Sequence, residues 1–156
     1  MVAPRIDRET TNEIVRQFGS KPEMLVQILQ AIVMRSGWVS EETIRQLADE
    51  LNLSRADVFG VVTYYHDFRR EPPGEHIVKI CQAEACQAMG GRELTDHARR
   101  SLGAGLHETK DDVTLEPVYC LGNCACAPAV MIDGKTHGRV TQLRFDELVG
   151  AIKERR

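Results

Sequence analysis

No apolar run in the 156-residue chain approaches eighteen residues, so the sequence offers no membrane-spanning helix. Its first residues, Met-Val-Ala-Pro-Arg, lack the apolar stretch of a secretory signal, which makes the cytoplasm the expected location. Neither sign of charge dominates: 20 Lys and Arg stand against 23 Asp and Glu, a net −3. The basic footprint of a nucleic-acid-binding protein is therefore missing. There is no Cys-x-x-Cys pair, which disfavours a thiol–disulfide enzyme. No Ser-His-Asp set, glycine-rich phosphate loop or dinucleotide fingerprint is present either. Nothing equips this chain to bind NAD or oxidise a substrate alone. Internal repeats and low-complexity segments are also lacking.

What is present is an ordinary globular composition, 42% hydrophobic and 28% charged, with one unusual feature. A chain of this size buries about 69% of its unfolded surface, enough for a core without disulfides. All five cysteines nevertheless fall between Cys81 and Cys126. An odd number of thiols in a chain without a secretory signal argues against a disulfide framework.

The chain reads as two halves: residues 1–73 form a helical domain and 74–156 a sheet-containing one. In the first, Asp7 caps a short helix bearing Ile14 and Phe18. Ser20-Lys21-Pro22-Glu23 reads as a capping box that starts a second helix. That helix carries Leu25, Ile28, Leu29, Ile32 and Val33 at helical spacing and ends at Gly37. Ser40 caps a third helix and Ser54, with Asp57, a fourth. Short loops and amphipathic faces predict a helical bundle. Glu71-Pro72-Pro73-Gly74-Glu75 is the boundary. Tyr64, Tyr65 and Phe68 just before it form an aromatic cluster, suited to packing or to docking a partner.

Beyond the boundary the order is strand, helix, strand, strand, strand, helix. Strands are expected at residues 76–80, 113–119, 129–132 and 137–141, and helices at 91–102 and 145–152. This is an α/β arrangement, α+β overall, with a four-stranded mixed sheet. The two strands flanking the first helix should be parallel. Pro117 suits an edge or an irregular start, and Asp133-Gly134 signals a tight hairpin.

Cys81 ends the first of these strands and Cys86 follows after four residues. Cys120 ends the second and Cys124 follows after three. Carboxyl ends of neighbouring parallel strands are where open α/β sheets place their sites. Four thiols in two such pairs are poorly explained as buried packing residues. The gaps permit a structural zinc, whose ligands use two- to four-residue spacing. They also permit an iron–sulfur cluster, which uses four thiolates, and spacing alone favours a [2Fe–2S] cluster over zinc. The histidines are scattered, and none pairs with another at metal-ligand spacing.

Both cysteine segments resemble the thioredoxin-like [2Fe–2S] ferredoxins. These include the small flavin-adjacent subunit of respiratory complex I and its relatives in soluble NAD-linked dehydrogenases. The resemblance runs through Leu53-Ser54-Arg55-Ala56-Asp57-Val58, Gly60-Val61-Val62-Thr63-Tyr64-Tyr65, Ala83-Glu84-Ala85-Cys86-Gln87 and Leu115-Glu116-Pro117-Val118-Tyr119-Cys120. Tyr64 stands where Phe is more usual. Within the family, Cys124-Ala125-Cys126-Ala127-Pro128, Ala129-Val130-Met131 and His137-Gly138 are most similar to the gamma subunits of soluble NAD-dependent formate dehydrogenases. Complex I relatives generally lack the extra thiol at Cys126.

The resemblance implies a thioredoxin-like domain with one [2Fe–2S] cluster, Cys81 and Cys86 on one iron and Cys120 and Cys124 on the other. Cys126 reads either as a packing residue beside the cluster loop or as a substitute ligand, and four ligands already completing the site favours packing. Amides near Gly90, Gly91 and Gly122 are candidate donors to sulfur. The implied role is electron transfer inside a complex rather than catalysis by this chain. Its partners would be a beta subunit binding FMN and NAD and an alpha subunit oxidising formate at a molybdenum or tungsten cofactor. The equivalent subunit of complex I or of a hydrogenase diaphorase is the alternative from the same family. A zinc-stabilised interaction module is the alternative from another class.

Overall fold

A computed structural model describes residues 6–154. The chain forms two compact units that join in sequence between Pro73 and Gly74. Among the described residues no helix is long and apolar enough to cross a membrane.

The first unit is helical: α1 (Arg8–Gln17), α2 (Leu25–Ser36), α3 (Glu41–Leu51) and α4 (Arg55–Tyr64). Side-chain caps set three of the four starts. Asp7 Oδ1 accepts the Thr10 amide at 2.7 Å. Ser40 Oγ accepts that of Thr43 at 3.0 Å. Ser54 and Asp57 cap α4 reciprocally, each side chain accepting the other's backbone N–H. Gly37 and Asn52 end α2 and α3 in the left-handed conformation that closes a helix. Ile28, Leu29, Ile32, Ile44, Leu47 and Val58 are fully buried between these helices.

The capping box expected at Ser20 does not form. Gly19 and Ser20 are both left-handed, and the Ser20 amide donates to Val15 O at 3.0 Å. Ser20 thus closes α1, and its side chain makes no cap for α2. A 3₁₀ turn at Pro22–Met24 intervenes, and α2 starts only at Leu25.

The second unit is a five-stranded sheet with helices. Its elements are β1 (His76–Cys81), α5 (Glu84–Ala88), α6 (Gly91–Leu102), β2 (Glu108–Lys110), β3 (Val113–Val118), β4 (Val130–Ile132), β5 (Lys135–His137) and α7 (Gln142–Lys153). The strand order is β2-β3-β1-β4-β5. β1 and β3 are the parallel neighbours that the sequence predicts, and the other pairs are antiparallel. Val78, Ile80, Leu94, Ala98, Leu115 and Phe145 share one buried core. Asp146 joins the two long helices, accepting from His97 Nε2 at 2.8 Å and Ser101 Oγ at 3.1 Å.

The sheet has five strands where four are expected. The additional strand, β2, is three exposed residues joined to β3 through Asp111 and Asp112, both at positive φ. Such a strand carries no apolar alternation and is recognisable only by its pairing. The strand expected at 137–141 lies earlier instead. Asp133 and Gly134 both take positive φ, so a two-residue turn returns the chain to pairing at Lys135. Pro117 lies within β3, though not at an edge strand. The Leu115 carbonyl faces β2, accepting from His107 at 2.7 Å, whereas that of Val118 faces β1, accepting from Gln82 at 2.7 Å. Alternation turns residue 117 toward the β2 side, where pairing has already stopped at Leu115. Its missing N–H costs no ladder bond there.

Candidate metal centre

The first cysteine pair is buried. Cys81 is the last residue of β1, and its amide donates to Ala129 O at 3.1 Å. Cys86 lies on α5, a five-residue helix. Ala83 at its N-cap offers no capping side chain, so the sequence carries no start signal there. Both thiols pack with Ala127 and Ala129, beside the half-buried Ala83, Val118 and Leu121. Burial, foremost, and the neighbouring Cys81 thiol push the Cys86 thiol's pKa up.

The second pair is exposed. Cys120 follows β3 by two residues and adopts φ 150°, a region that residues with a side chain rarely enter. Holding it there costs about 1–3 kcal/mol, a strain typical of functional loops. Gly122, left-handed at φ 69°, turns its amide back to donate to Cys120 Sγ at 3.3 Å. Cys124 opens a 3₁₀ turn, Cys124–Cys126, and its sulfur lies 3.9 Å from that of Cys120. The hydrogen bond with Cys120 and the charge of that same thiol raise the pKa of Cys124.

The donor set suits a cluster that takes two ligands per metal. Thiolates sharing one tetrahedral metal at bonds of about 2.3 Å stand about 3.8 Å apart. Cys120 and Cys124 already have that separation. Each pair also feels the other's charge, Cys86 that of Cys124 and Cys124 that of Cys81. Among the described residues, no three of His, Cys, Asp and Glu converge on one metal point. Two thiol pairs at the ends of neighbouring parallel strands supply the four thiolates, two to each iron, that a binuclear cluster uses.

Cys126 closes the 3₁₀ turn that Cys124 opens. Its amide donates to Asn123 O at 3.0 Å and its carbonyl accepts from Arg139 at 2.6 Å. Of the glycines expected to donate amides, Gly122 makes the bond to sulfur. Gly91 contributes closeness instead: a Cβ built on it falls 2.6 Å from Cys86 O. Sequence reading misses the close approach of Gly138 to Cys126, where a Cβ built on the glycine falls 2.6 Å from Cys126 Cβ. Gly138 is visible in the sequence only as a residue of the family resemblance.

The sequence pattern of the thioredoxin-like [2Fe–2S] ferredoxins matches residues 11–153. The chain is 38% identical over 141 residues to an NADH-quinone oxidoreductase subunit of Pseudomonas aeruginosa, covering 89% of this chain and 85% of that one. It is 30% identical over 149 residues to the Escherichia coli K12 subunit of the same name, covering 94% and 90%. In fold it resembles the crystal structure of an NAD⁺-reducing [NiFe]-hydrogenase in the H₂-reduced state, with a TM-score of 0.66 and 21% identity. That match covers 84% of this chain and only 22% of the hydrogenase chain, so the likeness is one of fold. Residues 11–153 carry the pattern across both units, and the chain belongs to the thioredoxin-like [2Fe–2S] ferredoxin family, whose members carry one [2Fe–2S] cluster.

Proposed function

We propose that the chain is an electron-transfer subunit of an NAD-linked oxidoreductase complex, with Cys81 and Cys86 holding one iron and Cys120 and Cys124 the other. The carrying observation is the placement of two thiol pairs at and just beyond the ends of neighbouring parallel strands, β1 and β3. When bound, the cluster supplies one-electron oxidation and reduction. The chain's own residues hold it and shape access to it. Cys81 and Cys86, packed with Ala127 and Ala129, keep water from one side. Cys120 and Cys124, next to the exposed Tyr119, open the other side to a partner. The Gly122 amide donates to Cys120 Sγ and stabilises thiolate charge there.

The finer reading assigns the complex to formate oxidation in the cytoplasm. A beta subunit would hold FMN and NAD, and an alpha subunit would oxidise formate at molybdenum or tungsten. Its support is the Cys124-Ala125-Cys126-Ala127-Pro128 run, which resembles the formate dehydrogenase gamma subunits. A second reading, the equivalent subunit of an NADH-quinone oxidoreductase or an NAD-reducing hydrogenase, is favoured by the names of the relatives. Purification from the native cell through a tag on this chain separates them. Co-purification of a formate-reducible flavoprotein supports the first. A complex reduced by hydrogen, or one carrying quinone reductase chains, supports the second. A colourless chain with zinc and no acid-labile sulfide defeats both.

A further inference from the structure

Two glycines sit where the cysteine turns meet the rest of the unit. A Cβ built on Gly91, the first residue of α6, falls 2.6 Å from Cys86 O, 2.9 Å from Cys86 C and 3.5 Å from Cys86 Cβ. One built on Gly138, just past β5, falls 2.6 Å from Cys126 Cβ, 2.7 Å from Asn123 Nδ2 and 2.8 Å from Cys126 O. Most of these neighbours are backbone or Cβ atoms, which cannot swing aside as the end of a long side chain can. Neither glycine has a positive φ, so turn conformation does not explain them. What each supplies is space.

We propose that Gly91 and Gly138 are positioning residues of the cluster site: each is the flat seat on which one cysteine-bearing turn rests. The inference builds on the proposed ligand set and adds what holds the ligands in place. Gly91 lets α6 start against the backbone of Cys86 and so fixes the end of α5. Gly138 lets the segment between β5 and α7 cross the Cys124–Cys126 turn at contact distance. The crossing is held on both sides, by the Arg139 amide on Cys126 O at 2.6 Å and the Val140 amide on Pro128 O at 3.0 Å. The fifth thiol thereby gains a place: its Cβ is the part of the turn that meets Gly138. A methyl group on either glycine pushes a cysteine turn, and through it Cys86 or Cys124, out of register with its partner thiol.

Gly60 and Gly150 provide controls, because a Cβ on either meets nothing within 4 Å and neither has a positive φ. The test compares Gly91→Ala, Gly138→Ala, Gly60→Ala and Gly150→Ala in the full chain after anaerobic cluster assembly. Iron retention against a chelator and the EPR spectrum of the reduced protein are read, with circular dichroism of each metal-free chain as the check on folding. Gly91→Ala and Gly138→Ala should lose iron about tenfold faster than the parent, the scale of a disturbed outer shell, with shifted g-values. The two controls should match the parent. Parent-like retention and spectra in both test variants overturn the proposal. A parent chain that binds no iron and sulfide defeats the ligand reading instead, so the two failures are distinguishable.

Discussion

The sulfur atoms of Cys120 and Cys124 stand 3.9 Å apart on an exposed loop, whereas Cys126, two residues on, has its backbone bound on both sides and its Cβ against Gly138. The loop thus contains three thiols with two different surroundings. Cys124 faces a partner thiol, and Cys126 faces a backbone crossing.

That difference predicts opposite outcomes for the same substitution. Cys126→Ser should keep the cluster's EPR signal, because the change leaves the Cβ and its backbone bonds in place. Cys124→Ser should shift or abolish it by replacing a thiolate with a harder oxygen donor. The two variants are compared under identical assembly, and a signal lost only with Cys126→Ser refutes the ligand assignment.

Asp133 makes a second, purely structural prediction. It occupies a turn position at φ 47°, accepts the Ile77 amide at 2.9 Å and pairs with His76 Nδ1 at 2.8 Å. Asp133→Ala removes both bonds and places alanine where positive φ is costly. A loss of about 1–2 kcal/mol is expected in urea unfolding. Asp133→Gly should recover the conformational part alone.

Much of this architecture is legible in the sequence because its signals are local. Asp7, Ser40 and Ser54 each carry the cap they advertise. Gly91–Leu102 is helical as its periodicity indicates. The cysteine pairs are visible because strand ends and gaps are one-dimensional quantities. What stays hidden depends on neighbours distant in sequence. β2 is a strand only because Leu115, Thr114 and Val113 lie beside it. Ser20 looks like a helix start but is used to end the preceding helix. Gly138 matters through Asn123 and Cys126, more than ten residues away and across a hairpin.

The pH dependence of the first unit follows from Asp7. Hydrogen bonds from Thr10, the backbone one foremost, lower its pKa below the ordinary value of 3.8. A depressed folded-state pKa means that the unfolded chain binds the proton more readily. The cap's contribution is therefore complete above the ordinary carboxylate value and is lost as pH falls through the lowered one. Thermal melts of the parent and Asp7→Ala should differ at neutral pH and converge in strong acid. A gap that is unchanged across this range would show that the carboxylate charge plays no part in the cap.

Whether four thiols in two pairs hold one [2Fe–2S] cluster is measured most directly by counting iron and acid-labile sulfide per chain on anaerobically purified protein, with EPR after reduction. About two irons and two sulfides per chain are expected, with an S = 1/2 signal lost or shifted on replacement of Cys81, Cys86, Cys120 or Cys124. One zinc per chain, no sulfide and no signal would contradict the proposed ligand set.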